Sequence, residues 1–339
     1  MKLTRIGRAL PRIPTLLAIA ALATSTPATG ADWAPAETVE IVVAASPGGG
    51  NDNIARVMQK IMQDGRLVEA PLNVVNKPGA GGAIAFGYVG EHKGNGHYMA
   101  VASNTLLTSH IAGISKLYYA DLTPLAVMIN EYIGFVVKPD SPLKDGRDLV
   151  ARLKSDPAGV TFGMASALGN INHIAIGTVA RAAGIDPKKL RIVVFRGSGQ
   201  VMTAALGGHV DVAVGPPSVA APHVDAGKLR VLAITSPKRL GGVLAEAPTW
   251  KELGVDALVV NWRGVIGPGG LSSSQTAFWD QALSRLARTD AWNERLRKSL
   301  WENAYLGSND AQQYLKAQYD ELKRALTDLG FSKSPAPKP

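Results

Sequence analysis

The chain has 339 residues, 36 Lys and Arg against 27 Asp and Glu, and no cysteine. The missing thiols exclude a disulfide framework, a thiolate metal site, a Cys nucleophile and a lipid-modified N-terminal Cys. The formal charge of +9 falls by four once Lys2, Arg5, Arg8 and Arg12 are set aside, and the remaining charges are interspersed rather than gathered in a basic stripe with aromatics, which argues against a nucleic-acid partner.

Those four cations form the basic start of a secretory signal. Thr15 to Ala23 is its apolar stretch, too short to span a bilayer. Ala28-Thr29-Gly30 supplies small residues for cleavage near Gly30 or Ala31. The expectation is a signal over residues 1–31 and a periplasmic mature protein. No later stretch of sequence is apolar enough to span a membrane. The length suffices for two domains.

Short β-rich runs then alternate with helical segments. The first run, Val39 to Ala45, meets the glycine turn Ser46-Pro47-Gly48-Gly49-Gly50-Asn51-Asp52 and a helical Asn53 to Met62. Leu72 to Val75 meets a second glycine turn, Asn76-Lys77-Pro78-Gly79-Ala80-Gly81-Gly82, and a helical Ala83 to Gly90. A strand, a glycine turn and a helix start point backbone N–H groups at one spot, which favours an anion. Neither turn completes a dinucleotide fingerprint or a Walker loop. The predicted anion donors are Ser46, Gly49, Gly50 and Asn51 in the first turn, and Ala80 and Gly81 in the second. The rival reading of the first turn is a tight connection with Asp52 as N-cap.

Further strands are predicted at His97 to Ala102, Leu125 to Ile129, Phe135 to Lys138, Val160 to Met164, Leu190 to Phe195, Val210 to Gly215, Leu229 to Thr235 and Leu258 to Ile266. Helices are predicted at Gly146 to Lys154, Asn172 to Ala183, Gln200 to Leu206 and Val219 to Ala226. This alternation predicts an α/β fold with open, mostly parallel sheets flanked by helices. Gln275 to Ala287, Ala291 to Leu300 and Asp310 to Leu329 have helical spacing, and Trp279, Trp292 and Trp301 are assigned to them. Residues 332–339 read as a disordered tail.

Lys138-Pro139-Asp140-Ser141-Pro142 marks one lobe boundary, and the stretch from Ala247-Pro248 to Gly254-Val255 marks the return. One lobe is therefore expected over 32–134 and 256–331, the other over 135–255. Two open sheets facing each other place a ligand between them, at the carboxyl ends of strands.

Several polar groups follow predicted strands. Ser103, Asn104 and Thr105 bond a ligand or cap the next helix. Ser166, Asn170, Asn172 and His173 form a second cap-capable cluster. His173 has no spaced partner for a metal site, and no metal or cofactor is predicted. Arg196, with Gly197 and Ser198, is suited to a bidentate carboxylate pair or to a surface salt bridge. Asp211 orients a water or caps a turn. Pro216 ends its strand at the proposed cleft, and Arg263 lies near the second crossing.

These residues carry a resemblance. Pro47 to Asp52, Asn76 to Gly82, Gly207-Gly208-His209-Val210-Asp211-Val212, Ala226 to Ala233 and Pro248-Thr249-Trp250-Lys251-Glu252-Leu253-Gly254 resemble the substrate-binding receptors of tripartite tricarboxylate transporters, the Bug-type receptors, from Ala34 to about Phe331. The resemblance implies a two-lobe type II periplasmic-binding-protein fold. It implies capture of a small organic acid, di- or tricarboxylate, and delivery to membrane permease subunits by a monomeric, non-enzymatic protein. In that family backbone and small polar groups of both lobes hold a ligand carboxylate, often through waters. The pattern maps onto Ser46 to Asp52, Pro78 to Gly82, Ser166 to His173, Gly197-Ser198 and Asp211 to Pro216. Arg196 departs from it: pointing inward, it argues for a second carboxylate.

Two rivals remain at this level. A secreted hydrolase would need a nucleophile elbow, and Ser198 has the wrong glycine spacing for one. The six histidines make no zinc motif. A sensor handing its signal to a membrane protein has the same sequence features as a transport receptor.

Overall fold

The computed structural model describes Met1 and residues 33–333. The predicted signal beyond Met1 and the tail beyond Lys333 lie outside the described residues. No described helix is long and apolar enough to cross a membrane.

Strand β1 (Val39–Val43) shows why the first half is layered. Val39, Ile41 and Val43 enter one core and Val42 another, so consecutive side chains are buried on opposite faces. Helix α1 (Gly50–Asp64) covers one face with Ile54, Met58 and Met62, spaced by four residues. Next come β2 (Leu72–Asn76), α2 (Ala83–Glu91), β3 (Tyr98–Ser103) and α3 (Asn104–Ile111). Sequence reasoning left α3 unassigned beyond its cap. The half ends with β4 (Thr123–Glu131).

The second half holds β5 (Gly134–Val137), α4 (Gly146–Ser155), β6 (Thr161–Ala165), α5 (Ile171–Ala182), β7 (Arg191–Phe195), α6 (Ser198–Leu206), β8 (Val212–Gly215), α7 (Pro217–Asp225) and β9 (Arg230–Ile234). The chain then returns through β10 (Asn261–Gly267), α8 (Ser273–Arg288), α9 (Asp290–Ser299), β11 (Glu302–Gly307) and α10 (Ser308–Asp328). A capping box between Ser272 and Gln275 starts α8. Leu300 caps α9 in a left-handed conformation, φ 54°, and turns the chain into β11. Trp301 therefore lies between α9 and β11 and not on a helix as predicted. The strand β11 was not predicted. It is a sheet edge and only half-buried, so its side chains carry a weak apolar signal.

The first sheet runs β11-β4-β10-β3-β1-β2 and the second β7-β6-β8-β5-β9. Both are mixed rather than mostly parallel. Parallel pairing is confined to β2-β1-β3 and β7-β6-β8. The reason lies in the crossings. Only Tyr132 and Ile133 separate β4 from β5, so the chain leaves the first sheet at the cleft and enters the second at the cleft. An entering strand must run against the strands of the β-α-β units, which end there. Accordingly β5 is antiparallel to β8 and β9, and the returning β10 is antiparallel to β3 and β4. The turn Lys138 to Pro142 follows β5, within the second half. Helix α10 packs on β4 and α3 of the first half, and Leu326 and Leu329 reach the α5 side of the shared core.

Candidate functional site

A cavity of about 790 Å³ lies between the two sheets. Its walls are the residues that follow strands whose carboxyl ends face the cleft, with β10 contributing its amino end. Five helix N-termini meet it. Gly50 and Asn51 begin α1, and Asn104 and Thr105 begin α3, from the first half. Asn172 sits in the first turn of α5, Ser198 and Gly199 start α6, and Ser218 sits in the first turn of α7, from the second. First-turn amides have no intrahelical acceptor and carry the positive end of the helix dipole, so together they favour negative charge.

The first glycine turn is shaped for this. Gly48 has φ 79°, and its amide donates to Asp52 Oδ2 at 2.8 Å. Asp52 is the third residue of α1 rather than its N-cap, a place held by Gly49. Asn76 Nδ2 also donates to Asp52 Oδ1 at 2.9 Å and to the Ala45 carbonyl at 2.9 Å, tying the turn to the end of β2. Burial alone would push the Asp52 carboxyl up, but hydrogen bonds from Arg56, Gly48 and Asn76 outweigh it and hold the group below its ordinary value. The Gly49 amide is already committed to Ser46 O at 3.1 Å, so the expected donation from this turn narrows to Gly50 and Asn51. A Cβ on Gly50 would lie 2.7 Å from Arg263 Nη2, so glycine is what lets Arg263 cross the helix start.

Arg263 is buried on β10. Its Nε donates to Asn51 Oδ1 at 2.9 Å and its Nη2 to Glu131 Oε2 at 2.9 Å. Asn51 Nδ2 reaches Ser103 Oγ at 3.4 Å, and Ser103 meets Thr105 at 3.1 Å. Asn104 Nδ2 donates to the Val260 carbonyl at 3.2 Å. Glu131 also accepts from Asn261 Nδ2, Trp301 Nε1 and Ser218 Oγ. Among the described residues it is the one carboxylate in the wall, and it is ion-paired. Arg196 also lines the cavity, exposed, and makes no ion pair among the described residues. Ser166, at the end of β6, holds φ 77° in the left-handed region, a costly conformation for a residue with a Cβ. The Asn170 side chain caps α5 by accepting from the amides of Asn172 and His173.

Of the predicted site residues, the cavity brings together Ser46, Gly49, Gly50, Asn51, Ser103, Asn104, Thr105, Ser166, Asn170, Asn172, Arg196, Gly197, Ser198, Pro216 and Arg263. Four do not line it. Ala80 and Gly81 form an exposed left-handed turn whose Gly81 carbonyl accepts from Ser109 Oγ on α3 at 2.6 Å. His173 is buried behind the wall, where its Nδ1 accepts from the Gly169 amide at 2.9 Å and burial pushes it down to about 4. Asp211 accepts from the Thr161 amide at 2.7 Å, at the amino ends of β6 and β8, the far end of the sheet from the cavity. Sequence reasoning missed Glu131, Ser218, Asn261 and Trp301. Two signals were available: Glu131 is a lone acid closing an apolar run, and Asn261 and Arg263 flank Trp262 at the spacing that shares a strand face.

Two mixed sheets joined by two crossings, with a polar cavity between them, define a two-lobed solute-binding protein. The model of the tripartite tricarboxylate transporter family receptor matches residues 54–330, and the chain belongs to that family. It is 29% identical over 245 residues to the protein BugT of Bordetella pertussis, covering 71% of this chain and 73% of that one. Two solved structures from Rhodopseudomonas palustris share the fold. Rpa4515 with adipate has a TM-score of 0.76 and 22% identity, covering 88% of this chain and 99% of that one. MatC with bound malate has a TM-score of 0.68 and 24% identity, covering 86% and 99%.

Proposed function

We propose that this protein is a periplasmic receptor that captures a small organic carboxylate between two lobes and hands it to the membrane subunits of a tripartite tricarboxylate-type transporter. The lobes are residues 32–134 with 256–331, and residues 135–255. The receptor acts as a monomer and turns nothing over. The observation that carries this reading is the convergence of helix N-termini from both halves on a cavity whose single acid among the described residues, Glu131, is already ion-paired. One carboxylate is met by the amides of Gly50 and Asn51 and the Ser103–Thr105 hydroxyls. A second is met by Arg196 and the start of α6, which makes a dicarboxylate or tricarboxylate the preferred solute. The adipate and malate carried by the two R. palustris proteins fit that class.

Micromolar capture corresponds to about −8 kcal/mol. A handful of hydrogen bonds to charged groups, each about 1.5–3 kcal/mol net, is of that size once ordering costs are subtracted. The lobes close because the solute touches both at once and so binds the closed arrangement better than the open one. Isothermal titration of the mature protein against mono-, di- and tricarboxylates, adipate and malate among them, tests the reading. Saturable heat with the dicarboxylates or tricarboxylates is expected. An absence of heat across the whole panel overturns it.

A further inference from the structure

We infer that Glu131 and Ser218 form a latch across the cleft, so that a carboxylate of the protein itself holds the two halves together alongside any solute. This rests on the two-lobed capture described above and names residues that set the open–closed balance. Glu131 ends β4 in the first half and is 2% exposed. Three of its four donors belong to the same half: Arg263 and Asn261 on β10, and Trp301 before β11. The fourth, Ser218, sits in the first turn of α7 in the second half, its Oγ 3.3 Å from Glu131 Oε1.

A carboxylate offers about four lone-pair sites. Three donors on one side fasten the group in place, and the fourth site is filled only from across the cleft. Among the described residues that line the cavity, this is the one side-chain hydrogen bond that joins the halves. The start of α7 suits an internal carboxylate. Pro216 precedes it and Pro217 opens it, so the first helical position has no N–H for a solute. Glu131 meets the Ser218 hydroxyl and the positive end of α7 instead. On opening, the freed oxygen faces the cleft and gains water, so the bond breaks reversibly rather than leaving a dry charge.

The experiment uses the mature protein without any solute. The chain has no cysteine, so K60C and K228C, both at exposed positions on opposite halves, accept spin labels without background. Pulsed electron resonance then reads the distance distribution between the halves. In S218A the ratio of open to closed molecules is expected to rise about tenfold, the size of one lost hydrogen bond to a charged group. S218T keeps the hydroxyl and is expected to keep the unmodified distribution. An S218A distribution that superimposes on that of the parent overturns the latch, as does an equal shift in S218A and S218T. Because no solute is present, failure to find carboxylate binding is a separate result and leaves this one readable.

Discussion

Glu131 and Arg263 stand diagonally on neighbouring antiparallel strands, and their side chains meet at 2.9 Å with both residues more than nine-tenths buried. Removing one member leaves the other charge buried without its ionic partner. R263M is expected to destabilise the protein by about 3–5 kcal/mol, and E131Q to destabilise it as well. The double variant is expected to lose less than the two single losses added together, because neither charge is stranded. Urea unfolding of the four proteins measures the coupling. Strict additivity would mean that the pair does not act as a unit.

His173 gives a pH signature of folding. Its folded-state value is pushed from 6.5 down to about 4, so the native protein keeps it neutral while the unfolded chain takes up a proton. Stability from this residue is full above about pH 6.5 and is lost as pH falls toward 4. The expected loss is about 2 kcal/mol between pH 7 and pH 5. Gln in its place still accepts from the Gly169 amide but does not titrate. Unfolding midpoints of H173Q and the parent, followed from pH 7 to pH 5, should converge as the pH drops. A constant gap would refute the buried neutral imidazole.

The same residue shows where sequence reasoning ran out. A His in the first turn of a helix after a strand is at the right address for a ligand group, and its neighbours Asn170 and Asn172 do line the cavity. Which face of the helix it takes depends on packing against Phe331, 158 positions along the chain, at 5.2 Å between ring centres, and no local pattern encodes that. Asp211 failed for a different reason. Polar residues before and after a strand look alike, and only the strand's direction tells which end meets the cleft. The glycine turn at Ser46 to Asp52 was legible because strand, turn and helix are contiguous there. Glu131, Ser218 and Trp301 were not, since their roles arise from contacts 87 and 170 positions apart. Mixed pairing was hidden in the same way: β5 and β10 read as ordinary apolar runs, and the two-residue link Tyr132–Ile133 alone hints that one extended run serves two sheets.

Asp52 holds the glycine turn through the Gly48 amide, Arg56 and Asn76. Its folded value is depressed, so its contribution is present above about pH 4 and lost as the pH falls through the lower folded value. D52N is expected to cost about 1–2 kcal/mol at pH 7. The difference from the parent should shrink below pH 4, as the unfolded carboxyl and then, at lower pH, the native one take up a proton. Denaturant unfolding at pH 7 and pH 3 checks both statements. The variant should also bind the carboxylate more weakly, because the Gly50 and Asn51 amides lose their fixed direction.

Arg196 is expected to separate solutes by charge. It is exposed and has no ion pair among the described residues, so removing it strands no partner, and R196Q should unfold within about 0.5 kcal/mol of the parent. A dicarboxylate that places its second acid group there loses a charge-assisted pair, and its affinity should fall about tenfold or more. A monocarboxylate seated on the α1 and α3 N-termini makes no such contact and should bind R196Q as it binds the parent. The ratio of the two affinities is the informative quantity, because a general disturbance of the cavity would weaken both solutes alike. Titrating matched mono- and dicarboxylates of the same carbon length into both proteins gives that ratio. An unchanged ratio would place the second carboxylate elsewhere in the cavity.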